Sequence, residues 1–113
     1  MIKFDEMELT VLPNFYGGEK ELRANMQTDE LNKILKGRLV SGATIGLHRH
    51  DTSSEIIFFL SGNGKMIIDG RQERITAGDC HYCKMGSEHS MINDGTEDLV
   101  FYAVVPNHFN SKK

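Results

Sequence analysis

The sequence predicts an all-β protein, a small barrel or sandwich of short antiparallel strands. Three observations carry this reading. From Thr44 to Val105 the chain is a series of short apolar or alternating runs. Polar, glycine-containing turns separate those runs, and Asp69-Gly70 is the best two-residue hairpin signal among them. Eleven glycines against two prolines suit many tight turns.

The bulk properties bound the rest. A chain of 113 residues fits one domain with one hydrophobic core. A chain this short buries only a moderate fraction of its surface, so added support from a metal or a partner subunit is expected. The formal charge is −3 with acids and bases interspersed, and no basic stripe suggests nucleic acid or an anionic membrane surface. No apolar run approaches a membrane span, and the N-terminus MIKFDEME is too acidic for a signal peptide, which favours the cytoplasm. The two cysteines sit together in Cys80-His81-Tyr82-Cys83, and they read as buried free thiols rather than a disulfide, redox or zinc motif.

Taken in order, the chain begins with a short strand and arm around Glu8–Leu12, ended by the turn signal Pro13-Asn14. Residues 19–27 have helix-favouring composition but are short and lie between breakers. Residues 28–36 offer a helix, with Thr28 as N-cap and Leu31, Ile34 and Leu35 at helical spacing. Ile34–Val40 equally reads as a strand running into Ser41-Gly42, and the strand is preferred because every later element is one. Thr44–His50 alternates, with Thr44, Gly46, His48 and His50 on one face and Ile45, Leu47 and Arg49 on the other. Glu55–Leu60 is a strand apolar on both faces. Lys65–Ile68 and Gln72–Ile75 pair about Asp69-Gly70. His81–Lys84, His89–Asn93 and Leu99–Val105 complete the series. The expected organisation is N-terminal strands or an arm over 1–41 packing on a barrel over 42–106, then a polar tail over 107–113.

Four side chains stand out as metal ligands. Two histidines at i and i+2 on a strand share a face, with Cα atoms roughly 6.5–7 Å apart, so the imidazoles of His48 and His50 can converge. Glu55 follows across the turn Asp51–Ser54 and lies on the adjacent strand, sharing a face with Ile57 and Phe59. His89 arrives from a distant strand. A lone histidine on a strand is usually just packed, but two on one inward face are costly to bury unless paired or metal-bound. Two histidines and a carboxylate with open positions opposite suit Fe(II), Mn(II), Co(II) or Ni(II), and a fourth ligand leaves about two octahedral positions free.

The spacing Gly42, His48, His50, Glu55, Gly62 resembles the first motif of the cupin superfamily without departure. Gly78, Gly86, His89 and Asn93 resemble its second motif, with Lys84 standing where that family usually has proline. The resemblance implies a double-stranded β-helix, the jelly-roll cupin barrel. It also implies a ligand role for His48, His50, Glu55 and His89, one divalent transition metal (Mn, Fe, Ni, Co or Zn), and commonly a homodimer. Lys84 reads as a solvated lysine.

Residues sharing the ligand face are expected to line a mostly apolar pocket: Thr44, Ile57, Phe59 and Met91, with Phe101 or Tyr102 from the last strand. The opposite face of the Glu55 strand, Ile56, Phe58 and Leu60, needs cover, and a second copy of the chain would supply it. His108 reads as a surface residue, Glu88 as solvent-facing, and His81 as facing either solvent or cavity. The expected function is metal-dependent enzymology on a small metabolite, a sugar or an organic acid, through isomerase, lyase or dioxygenase chemistry. The alternative is non-catalytic binding or sensing of a small ligand.

Overall fold

The computed structural model describes residues 1–108. Its strands are β1 (Thr10–Pro13), β2 (Glu21–Thr28), β3 (Asn32–Leu39), β4 (Thr44–Arg49), β5 (Glu55–Ser61), β6 (Gly64–Ile68), β7 (Arg71–Ile75), β8 (Cys80–Cys83), β9 (Glu88–Ile92) and β10 (Leu99–Pro106). They form two antiparallel sheets, ordered β1-β2-β3-β10-β5-β8 and β4-β9-β6-β7. This is the jelly-roll arrangement expected from the later strands. Among the described residues no helix is long and apolar enough to cross a membrane.

The N-terminal third resolves into strands. Residues 19–27, helical by composition, contribute most of β2, and the helix offered over 28–36 is absent. β3 has a period of two instead: Leu35, Gly37 and Leu39 are buried while Ile34, Lys36 and Arg38 are half-buried. The turn before it is closed by Asp29, whose Oδ1 accepts from the backbone N–H of Leu31 and of Asn32, both at 2.8 Å. β3 pairs with β2 on one side and β10 on the other, so it is an interior strand of the larger sheet and not an arm laid over it. Pairing on both sides outweighs weak local helix propensity.

The hairpin at Asp69-Gly70 takes the form its sequence demands. Both residues have left-handed backbone, φ 48° and 82°, which is the type I′ pattern matched to the twist of β6 and β7. The core lies between the two sheets. Leu22, Leu35, Leu39, Ile57 and Phe101 bury against it from the larger sheet, and Ile45, Met66 and Met91 from the smaller. At one end the interior opens into a cavity of about 420 Å³.

β8 alternates cleanly, with Cys80 and Tyr82 exposed and His81 and Cys83 buried. Cys80 therefore departs from the expectation of two buried thiols, because residues at i and i+3 on a strand face opposite ways. Both cysteines are free. Burial pushes the Cys83 thiol up to about 11, with Glu55 and Asp69 adding to the effect. At pH 8 a soluble thiol reagent is expected to modify Cys80 alone in the native protein. Cys83 should react only on unfolding or as the pH approaches its raised value. Equal modification rates at pH 8, read by mass spectrometry with Cys80→Ser as reference, would contradict this placement.

Candidate metal centre

The site begins with an irregularity in β4. Ile45 pairs with Met91, but the next pair is His48 with His89, so β4 spends one extra residue over Gly46-Leu47. This β-bulge shifts the alternation by one. Ile45 and His48 consequently both face the cavity despite their odd spacing, and Thr44 does not. Thr44 instead uses its Oγ1 to accept the Glu19 N–H at 2.8 Å. Phe59 also departs from its expected place: it packs in the core 6.1 Å from the Phe101 ring and borders a second, smaller cavity beside His81. Ile57, Met91 and Phe101 do line the main cavity, while Tyr102 points outward.

The structure brings His48, His50, Glu55 and His89 together, with one donor atom from each inside a 4.8 Å cluster. His48 and His89 come from neighbouring positions on β4 and β9. His50 follows β4 and is tied down by its backbone, which donates to the Ser87 carbonyl at 3.0 Å and accepts from Gly86 N–H at 2.6 Å. Glu55 opens β5 on the facing sheet. Its Oε1 lies 3.2 Å from His50 Nε2 and 3.1 Å from His89 Nε2. His89 Nε2 lies 3.1 Å from His50 Nε2 and 3.2 Å from His48 Nε2.

The other ring nitrogen of each histidine is occupied elsewhere. His48 Nδ1 donates to the Gly46 carbonyl at 2.8 Å, which leaves Nε2 of the neutral ring bare. His50 Nδ1 meets Ser53 Oγ at 2.9 Å, and His89 Nδ1 meets His81 Nε2 at 3.0 Å. Three Nε2 atoms and a carboxylate oxygen therefore face one point. Imidazole protons can satisfy such a group only pairwise, whereas one cation satisfies all four. With bonds of about 2.1 Å, adjacent octahedral ligands stand about 3.0 Å apart and tetrahedral ones about 3.4 Å. The observed 3.1–3.2 Å lies between the two values, so the spacing suits a metal ion in either geometry. The donor set fits a divalent transition metal, with positions left open in the octahedral case.

Electrostatics point the same way. Burial alone would raise the Glu55 carboxyl, but the His50 and His89 imidazoles against it outweigh that effect and lower it to about 2. Burial lowers His48 below the usual imidazole value, which keeps it neutral at pH 7. The same cause, reinforced by the nearby His89, brings His81 down to about 4, so His81 is neutral and its Nε2 is able to accept from His89 Nδ1.

Three cavity or outer residues had no signal in the sequence. His81 could not be assigned a face from β8 alone; the Cys83–Glu55 and His81–Ile57 pairing turns it inward. Tyr16 stacks on His48 with ring centroids 3.9 Å apart and planes 9° from parallel. Lys33 lines the cavity from β3. Lys84 is exposed and away from the cavity, Glu88 pairs with Arg49 at 3.2 Å, and His108 is exposed, with its Nε2 2.8 Å from Ser54 Oγ.

Removing the His81 acceptor should loosen His89. His81→Phe is expected to lower metal affinity about 10- to 100-fold, the usual cost of losing an outer partner of a ligating histidine. His81→Gln, which restores an acceptor, should recover part of that loss. Competition with a chromophoric chelator measures both, and equal affinity in the three proteins would show that His81 has no such role.

Comparison with known proteins agrees with this architecture. Residues 33–105 match the family profile described as the cupin domain. An oxalate-binding protein of Thermotoga maritima is 32% identical over 111 residues, spanning 93% of this chain and 92% of that protein. Among solved structures, a predicted oxalate decarboxylase from Thermotoga maritima superposes with a TM-score of 0.89 at 27% identity, over 95% of this chain and 98% of that one. The cupin domain of Schizosaccharomyces pombe Cnp3, at 13% identity and a TM-score of 0.78 over 95% of this chain and 73% of its own, shares the fold. The chain belongs to the cupin family.

Proposed function

We propose that this protein binds a small dicarboxylate of the oxalate type through a divalent transition metal (Mn, Fe, Ni, Co or Zn) held by His48, His50, Glu55 and His89. The observation that carries the reading is the convergence of three Nε2 atoms and Glu55 Oε1, with each remaining imidazole nitrogen engaged elsewhere. Three neutral imidazoles and one carboxylate around a divalent ion leave a net positive charge, which favours an anionic ligand. Bound there, the ion would supply Lewis acidity to a chelating carboxylate. The likeness to a protein named for oxalate binding supports the ligand class.

The chain's own residues shape what can enter. The cavity of about 420 Å³ is at the small end of small-molecule sites. Its buried apolar residues Ile57, Met91 and Phe101 offer no hydrogen bond, so they exclude water and leave polar recognition to the cluster and the rim. Among the described residues, the cavity holds no second buried carboxylate beside Glu55; Asp51 lies at the exposed mouth. Binding without turnover needs nothing beyond these groups.

Protein purified without added metal is expected to carry a stoichiometric divalent ion. Oxalate at a hundredfold excess over its Kd should raise the stability of the loaded form by about 2.7 kcal/mol and leave the metal-stripped form unchanged. His48→Ala should abolish both effects. Absence of stoichiometric metal, with His48→Ala leaving the thermal midpoint unaltered, would remove the site. A loaded protein indifferent to oxalate would remove the ligand. Formate and carbon dioxide released from oxalate would make the protein an enzyme instead of a binder.

A homodimer belongs to the same reading. The outer face of the larger sheet exposes Phe58, Leu60, Tyr82 and Tyr102 at 48%, 42%, 60% and 37%, and Phe58 pairs directly with Tyr102. A second copy would cover these side chains. Sedimentation is expected to give twice the 12.8 kDa chain mass, and Phe58→Lys should shift it to one. A wild-type monomer across the micromolar range would refute the dimer.

A further inference from the structure

The N-terminal segment meets the candidate site at one strained turn. Between β1 and β2, Asn14, Tyr16, Gly17 and Lys20 all have left-handed backbone, with φ of 52°, 53°, 79° and 57°. Asparagine and glycine adopt it readily, but a tyrosine does so only when its surroundings impose it. The surroundings here are specific. Asn14 N–H donates to the Lys20 carbonyl at 2.7 Å, Gly17 N–H to Asn14 at 2.9 Å and Gly18 N–H to Phe15 at 3.0 Å. The turn then docks backbone to backbone on β4. A Cβ on Gly46 would overlap the Tyr16 carbonyl oxygen, and one on Gly18 would overlap the Thr44 carbonyl oxygen. Two glycines thus let the turn sit against the bulge that carries His48.

The consequence is the position of the Tyr16 side chain. Its ring lies flat on the His48 ring at 3.9 Å. It borders the main cavity, and among the described residues its hydroxyl has no protein hydrogen-bond partner. The same cavity is lined by further polar side chains, Lys33, Arg49, Thr52 and Ser53 among them, and by apolar ones such as Leu12 and Ile45. A strained, half-exposed residue stacked on a proposed ligand therefore brings a phenol with no protein partner to the edge of the cavity.

We propose that Tyr16 is a recognition residue: its hydroxyl donates a hydrogen bond to a carboxylate oxygen of the ligand seated at the open side of the His48–His50–Glu55–His89 cluster. This rests on the metal-centred reading above. It adds that the N-terminal turn, outside the part of the chain that matches the family profile, supplies ligand selectivity.

The test is Tyr16→Phe, which keeps the ring and its stacking and removes only the donor. Cobalt(II)-loaded wild-type and variant proteins are titrated with oxalate, acetate and formate, followed by the visible cobalt spectrum, and cobalt affinity is measured separately. The expected result is unchanged cobalt affinity and a Kd raised about tenfold or more for each carboxylate that the wild type binds, as befits a lost hydrogen bond to a charged group. If the wild type binds acetate or formate but not oxalate, and the variant is weakened, the oxalate reading fails and Tyr16 stands. Wild-type carboxylate affinities in the variant would overturn the role of Tyr16 and leave the oxalate reading intact. A drop in cobalt affinity would also overturn it, because the phenol would then serve the site and not the ligand. A wild type that takes none of the three anions overturns both.

Discussion

The constraint on which the rest of this structure depends is electrostatic. Three imidazole Nε2 atoms and one carboxylate oxygen stand 3.1–3.2 Å from their neighbours in a buried place. Lone pairs held that close repel one another unless a proton or a cation lies between them. The protein does not relieve this by rotating the rings away. It fixes each ring from behind, with a carbonyl at His48, a hydroxyl at His50 and a second imidazole at His89. A cluster held against its own repulsion is preorganised for a positive charge, and that preorganisation is the physical content of the proposed metal centre.

The donors also divide between the two sheets. His48 and His89 belong to the four-stranded sheet and Glu55 to the six-stranded one. An ion at their centre would cross-link the two layers at the end of the barrel that the cavity leaves open. For a chain of 113 residues, whose single core buries a limited area, such a link adds folding free energy where side-chain packing cannot. Farther along the sheet, where Leu39 of β3 pairs with Leu99 of β10, both side chains are fully buried apolar groups and the layers are joined by packing. The apolar end and the polar end are complementary solutions to holding two twisted sheets face to face.

Much of this was legible in the sequence, for reasons that can be named. The strands from Thr44 onward carry period-two alternation and glycine turns, which are local signals, and the proposed ligand set rests on the His48, His50 and Glu55 spacing together with the family resemblance that adds His89. What could not be read depends on contacts between distant segments. Residues 19–27 look helical by composition until β2 is paired with β3, whereas the strand preferred over Ile34–Val40 is found as β3 between β2 and β10. Uninterrupted alternation along Thr44–His50 places Thr44 in the cavity. The bulge over Gly46-Leu47 exchanges it for Ile45, and glycine within a strand was the only hint. His81 faces inward through its register against Ile57, a property of the pair and not of CHYC.

The bulge and the N-terminal turn form one device. A regular β4 would present Gly46 and His48 to the same face. The extra residue instead frees Gly46 to take the Tyr16 carbonyl against its backbone while its own carbonyl holds His48 Nδ1. One residue without a side chain thereby sets the tautomer of a proposed ligand and seats the turn whose tyrosine covers that ligand's ring. Any side chain at this position would separate the two roles, since a Cβ has nowhere to go except into the turn. The proposed selectivity of residues 14–18 and the proposed metal binding of the barrel would therefore be coupled through the backbone of Gly46, though the two segments lie some thirty residues apart in sequence.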